Sequence, residues 1–374
     1  MFKKIDRRII THFDYIIMAL ILPLILVSGM LIGEVVPALA QKHRVYVFVS
    51  VLAFFFFFLF PIRRFSWLIP FLYWFNIGLL IAVEFVGISK LGARRWLELP
   101  MVNFTLQPSE LIKPAFVLML AYLIQRNPPP IEGYRLKDFL KLSFFILLPF
   151  ILIAKEPDLG TAMVLMLLGF GVLFVVGVYW KIWATIAVAL VLSAPLLYGQ
   201  LHEYQKKRIH DFLSEKPSYH VQQSIIAIGS GGLTGNSMEE STQTQMKFLP
   251  IASSDFIFAY VVERFGFLGS LLLVSIYASL ILHLFSISWV NNDYYVKVVS
   301  LSLAFLFFIY MSVNIAMTIG FAPVVGVPLP MFSYGGSSFV NFMIIIAILQ
   351  NLMAFRFTFY YNSDRRLVDP LDKS

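Results

Sequence analysis

Apolar residues along this chain come in solid runs, lacking both the two-residue alternation of a half-buried strand and the single stripe of a surface helix. "LLLVSIYASLILHLF" at 271–285 is typical, and "FVSVLAFFFFFLF" at 48–60 reads as lipid-facing surface. Runs of roughly 20 apolar residues are long enough to cross a bilayer as helices, and in lipid a helix satisfies its own backbone. The pattern predicts spans at about 15–33, 45–60, 67–87, 109–125, 139–154, 160–178, 182–200, 266–288, 296–320 and 337–357. The expectation is therefore an all-α polytopic membrane protein of about ten transmembrane helices, a single domain over 1–374. One large extracytoplasmic segment, 201–265, lies between spans seven and eight. Within it "YHVQQSIIAIGSGG" has an amphipathic helical pattern, so the segment is expected to be a folded cap rather than filler. No small-residue cleavage site follows "MFKKIDRRII", so the first run is expected to stay as span one.

Composition supports this reading. Of 374 residues 59% are hydrophobic and 13% charged, with 38 phenylalanines and no cysteine, which excludes disulfides, thiolate catalysis and cysteine-ligated metals. The net charge of +8 is mainly a topology signal. One side collects Lys3, Lys4, Arg7, Arg8, Arg63, Arg64, Arg126, Arg135, Lys137, Lys141, Lys181, Lys297, Arg356, Arg365, Arg366 and Lys373, and the other holds Lys42, Arg44, Lys90, Arg94, Arg95 and Lys155 in its short loops. The positive-inside rule makes the first side, with both termini, cytoplasmic. Nucleic-acid binding is the weaker account of the charge. Cytoplasmic connections such as "RNPPPIEGYRLKD" at 126–138 are short, so polar chemistry is expected outside, in the 88–108 loop, the cap and the 320–338 connection.

Few side chains are candidates for that chemistry. "LQPSELIKPAF" puts Glu110 and Lys113 three apart on one helix face. Charges at that depth suit a functional site, and equally a structural salt bridge, and Lys113 can be oriented by Glu110 while facing an anion. Asp158 in "AKEPDLGTA" fits a helix N-cap, and equally a rim carboxylate that pairs with Lys155 or holds a divalent cation. "YQKKRIH" sets Arg208 where basic residues meet lipid phosphates or a pyrophosphate. His202, His210 and His220 lack metal-ligand spacing and read as surface polar residues. "GSGGLTG" reads as a flexible turn rather than a nucleotide loop, because no strand precedes it. Asp255, at the mouth of the apolar run in "IASSDFIFAYVVERFG", is either an N-cap or a partly desolvated base. "VPLPMFSYGGSS" is too rich in Pro and Gly for a straight span and is expected to re-enter the bundle and shape a cavity.

Taken together, "QPSE" with Lys113, "PDLGT", "IAIGSGGLTG", "TQTQMKFLP", "SDFIFA" and "PVVGVPLPMFSYGGSS" resemble the SEDS family of bacterial cell-wall polymerases, in order and in membrane layout. "VGVPLP" is nearer the elongation-type members than the division-type ones. The resemblance implies a glycosyltransferase that polymerises lipid II, the lipid-linked disaccharide-pentapeptide, on the outer face of the bacterial inner membrane. It also implies a class B penicillin-binding protein as transpeptidase partner. The family's essential aspartate falls on Asp255, and its important span-four charges on Glu110 and Lys113. Ile251, Ser254 and Arg264 depart from the family pattern around that aspartate. On this reading Asp255 is the general base, and Lys113, Arg208, Arg94 or a divalent cation (Mg²⁺ or Mn²⁺) stabilises the leaving diphosphate. No cofactor is required by the sequence. A lipid-intermediate flippase or transporter and a non-enzymatic scaffold are the competing readings.

Overall fold

A computed structural model describes residues 12–90, 93–99, 104–156, 158–199, 203–214, 218–239, 241 and 252–355. The stretch "TQTQMKFLP", Pro157, His202 and both charged termini lie outside these residues. In chain order the helices are α1 (Tyr15–Val35), α2 (Pro37–Leu59), α3 (Leu68–Val86), α4 (Pro108–Arg126), α5 (Leu136–Lys155), α6 (Leu159–Val176) and α7 (Trp180–Gly199). They continue with α8 (Glu203–Leu213), α9 (Tyr219–Ser230), α10 (Ile257–Val290), α11 (Tyr294–Thr318) and α12 (Gly336–Ala354). Each of the ten expected segments falls on a helix. Seven helices, α1, α2, α3, α6, α10, α11 and α12, are long and apolar enough to cross a membrane.

The bundle is built around α11 and α12, the most enclosed of these seven. Their neighbours are α10 and α4 on α11 and α2 on α12, while α3 packs on α4 and α5 on α6. Such a bundle gains little from the hydrophobic effect between helices, since lipid is equally apolar, and relies on close packing and buried polar links. At one end Asp14 caps α1 through the amides of Ile16 and Ile17. Its backbone exchanges hydrogen bonds with the Gln350 carboxamide, and its second carboxylate oxygen meets His283 Nε2 at 2.8 Å. Arg63 pairs with Asp293 at a neighbouring helix junction.

The other end departs from the all-helical expectation. The 88–108 loop forms a small antiparallel sheet of β1 (Ile88–Lys90), β2 (Ala93–Leu99) and β3 (Phe104–Leu106) in that order. Leu97 lies opposite Leu106, and Glu98 opposite Thr105. "ARRWLEL" doubles its polar and apolar positions at Arg94–Arg95 and Trp96–Leu97, so it lacks the strict alternation of a strand and cannot compete with the long apolar runs beside it. The amphipathic segment of the cap is α9. It buries Val221, Ser224 and Ala227, one face of a helix, and Ser224 Oγ donates to Thr318 O at the end of α11.

Span eight starts earlier than its hydropathy suggests. α10 begins at Ile257 and breaks at Gly266, whose φ of 66° is a left-handed conformation that favours glycine. The amides of Phe267 and Leu268, freed by the kink, donate to Gly232 O and Leu233 O of the "GSGGLTG" turn. That turn is thus a docked plug, not a flexible loop. Ahead of the kink, Ile257 to Glu263 are all buried in protein.

Candidate functional site

Two polar centres sit at the sheet-bearing end, both anchored on α11. The first forms where α4, α11 and α12 meet. Pro108 and the charge of Glu110 suit the first turn of α4, and Lys113 follows one turn on, 1% exposed. Its ammonium donates to Glu110 Oε1 and to Tyr310 Oη, each at 2.5 Å, and lies 5.1 Å from the centre of the Tyr310 ring. Asn341 Nδ2 donates to Glu110 Oε2 at 3.4 Å. The ion pair foreseen from spacing is present, with a tyrosine as its third member.

Next to it, Asp158 caps α6 by accepting from Thr161 N at 3.4 Å. It also accepts from Gln107 Nε2 and Ser109 Oγ, each at 3.4 Å, and pairs with Arg95 Nη1 at 3.7 Å. Its ionic partner is thus Arg95, from the sheet. Arg94 turns away from this group: its guanidinium donates to Phe85 O and Gly87 O, each at 2.7 Å, at the carbonyl end of α3. Glu156 is buried beside Asp158 with neither carboxylate oxygen hydrogen-bonded. Its carboxyl is pushed up to about 8, chiefly by burial and then by Asp158 and Glu84, with Arg95 opposing.

The second centre is the Ala252–Phe256 turn that leads into α10. Three successive carbonyls in it are held from outside: Ser253 O by Tyr334 N at 2.9 Å, Ser254 O by Ser333 Oγ at 2.7 Å, and Asp255 O by Asn314 Nδ2 at 2.9 Å. Two of these donors come from the 320–335 connection, which re-enters as its composition predicts. A side-chain carbon built on Gly326 would lie 3.6 Å from Asp255 Oδ2. Asp255 is half-buried. Burial raises its carboxyl above the ordinary value, while a hydrogen bond from Ser254 and the charge of Arg208 oppose the shift. It is not the N-cap of α10, a position taken by Phe256 without a side-chain bond.

Arg208 reaches this centre from α8. It lines a cavity of about 90 Å³ with Asp211, Phe212, Ser214, Ser218, Val221 and the 320–324 segment. His220 is exposed and stacks on Phe256, and His210 is exposed on α8. Glu263 is buried in α10, whereas Arg264 donates to Glu34 and to Asn236 O; Glu34 also accepts from Tyr260 Oη at 2.7 Å. Arg264 therefore ties α10 to α1 and to the docked turn.

The two centres are connected. Tyr310 and Asn314 are one turn apart on the same face of α11, one engaging Lys113 and the other the Asp255 turn. The structure thus brings Glu110, Lys113, Asp158, Asp255 and Arg208 to one end of the bundle and puts Arg94 at its edge. Sequence reasoning missed Tyr310, Asn314 and Arg95. Asn314 had a signal, an amide inside a spanning helix, "FIYMSVNIAMT". Among the described residues no group of three or more His, Cys, Asp or Glu is arranged to hold a metal ion.

The sequence and the fold are both similar to those of known proteins. The peptidoglycan glycosyltransferase MrdB of Helicobacter pylori (strain ATCC 700392 / 26695) is 55% identical over 361 residues, 96% of this chain and 94% of that protein. MrdB of Escherichia coli (strain K12) is 39% identical over 307 residues, 79% of this chain and 80% of the relative. The probable peptidoglycan glycosyltransferase FtsW of Pasteurella multocida (strain Pm70) is 32% identical over 321 residues, covering 83% and 80%. A chain of a solved peptidoglycan synthase complex that coordinates polymerization and crosslinking superposes with a TM-score of 0.79 at 25% identity, over 92% of this chain and 98% of that one. The crystal structure of Thermus thermophilus rod shape determining protein RodA gives 0.69 at 25% identity over the same shares. The profile of the FtsW/RodA/SpoVE cell cycle proteins matches residues 5–357, and the chain belongs to that family, the SEDS family.

Proposed function

We propose that this chain is an elongation-type peptidoglycan glycosyltransferase, polymerising lipid II into glycan strands at the outer face of the bacterial inner membrane. Higher identity to the MrdB proteins than to FtsW supports the elongation type. The observation that carries the reading is the clamped turn presenting the half-buried Asp255 carboxylate near the Arg208-lined cavity. In this reading α4, α5 and α7 cross the membrane with the seven most apolar helices, both termini are cytoplasmic, and the end bearing Asp255 faces outward.

The chemistry follows from the residues. The Asp255 carboxylate takes the proton of the acceptor sugar's 4-hydroxyl, and the freed oxygen pair attacks the donor's anomeric carbon. The bond from that carbon to the lipid diphosphate breaks on the opposite face, so the configuration inverts. Arg208 and the field of Lys113 favour the charge that collects on the departing diphosphate, while Arg94 stays bound to the carbonyl end of α3. Glu110 orients Lys113, and Asp158 fixes the start of α6 near the same group. The lipid tail is held in the bilayer between helices. A class B penicillin-binding protein crosslinks the product as partner, in keeping with the likeness to a synthase complex.

The test is polymerisation of labelled lipid II by the purified chain, alone and with a class B penicillin-binding protein. Native protein is expected to yield glycan chains, and Asp255→Asn and Asp255→Ala to yield none while unfolding at native temperature. Transport of lipid II without polymer would instead identify a flippase.

A further inference from the structure

Asn314 is fully buried in α11, and its carboxamide spends both hydrogens on carbonyls from two separate segments: Asp255 O at 2.9 Å and Val327 O at 2.7 Å. Its Oδ1 has no partner. The two facing carbonyls fix the orientation of the amide, because the flipped form would set three oxygens against one another. A buried acceptor left unsatisfied is costly, so a polar residue here is a poor choice for packing alone. From a helix that belongs to neither, it binds the last carbonyl before Phe256 to the extended stretch after Gly326, alongside the direct ties that Ser333 and Tyr334 make to the two preceding carbonyls.

We propose that Asn314 is a positioning residue for the transfer reaction: by holding Asp255 O and Val327 O together it keeps the Asp255 carboxylate in register with the Gly326 backbone that it faces. The inference rests on the reading of Asp255 as the base. Ser333 and Tyr334 hold the preceding two carbonyls, so the turn survives loss of Asn314, but Asp255, which carries the carboxylate, loses its external tie. Among the described residues, the charged or titratable groups around that carboxylate are Arg208 on α8 and, stacked on the adjoining Phe256, His220 on α9.

Asn314→Leu, which keeps the branched side-chain skeleton and removes both donors, is the decisive variant. It is expected to fold, to keep its affinity for lipid II and to lose about 100-fold in kcat, the effect of an ångström-scale displacement of a catalytic group. The acidic limb of its pH–rate profile is expected to move to lower pH, since a loosened Asp255 gains water. Native kcat with a native limb, or a loss confined to KM, overturns the proposal. If Asn314→Leu does not fold, Asn314→Ser, retaining one donor, is expected to show the same two changes to a smaller degree, and their absence overturns it equally. Asp255→Asn run in parallel separates the two claims. Polymer from Asp255→Asn removes the base itself, whereas silence there with full activity in the Asn314 variants removes only the positioning role.

Discussion

Gly160 at the start of α6 touches the backbone of Val325 so closely that a methyl group on the glycine would lie 2.7 Å from the Val325 carbonyl oxygen. The next residue along that backbone, Gly326, faces the Asp255 carboxylate. Helix α6 therefore sets how near the re-entrant connection can come to the proposed base. Gly160→Ala must push backbone rather than a pliable side chain. It is expected to cost about 1–3 kcal/mol in stability and to lower glycan synthesis by about 100-fold, measured by thermal unfolding in detergent and by the lipid II assay.

Lys113 and Glu110 form a buried pair with Tyr310. Lys113→Met alone leaves Glu110 buried without its cation and is expected to cost about 3–5 kcal/mol. Pairing it with Glu110→Gln restores packing without charge, so the unfolding temperature returns toward the native value. If Lys113 serves the leaving diphosphate, the stable double variant still makes no polymer. Recovered polymer would falsify that role and leave a salt bridge only.

Asp158 combines a helix cap with an ion pair to Arg95. Asp158→Asn keeps an oxygen for Thr161 N, and the pair with the partly exposed Arg95 contributes only about 0–1 kcal/mol, so near-native stability is expected. Asp158→Ala removes the cap as well and loses a further ~1 kcal/mol. Polymerisation is expected to fall in both, since both remove the charge, and activity in Asp158→Asn equal to native would assign the residue to capping alone.

Glu156 gives a pH dependence of stability. Its carboxyl lies near 8 in the folded chain against 4.5 when free, so the folded state binds more protons between those values. Its contribution is fully present below pH 4.5 and is lost as pH rises through 8. Glu156→Gln mimics the protonated form. Its unfolding temperature is expected to match the native protein at or below pH 4.5 and to exceed it by a margin that widens as pH rises to 8; parallel curves across that range would contradict the burial of a lone carboxyl.

Asp255 itself works in the opposite sense, since a base must be ionised. Burial holds its carboxyl above the ordinary value, so polymerisation is expected to fail on acidification at a higher pH than a solvated aspartate would allow, recorded as the acidic limb of the rate profile.

Much of this was legible in the chain. A run of about 20 apolar residues can only be a buried or spanning helix, whatever surrounds it, which is why every expected span falls on a helix. Glu110 and Lys113 met because three residues is less than one turn apart. Asp255 stood out through its neighbours in sequence, and the Pro and Gly content of 323–336 ruled out a straight helix there. Local spacing suffices in each case.

Partners distant in sequence were not legible. Arg95 rather than Lys155 as the mate of Asp158, Tyr310 as the third member of the Lys113 group, and Asn314 as the clamp on Asp255 each join residues between 59 and 197 positions apart or from different helices. Hydropathy fixes which segments become helices but not their rotation or which neighbour each faces. In lipid those are settled by close backbone approach, as at Gly160, and by buried hydrogen bonds between helices, as at Asn314. Both exist only once the bundle has assembled.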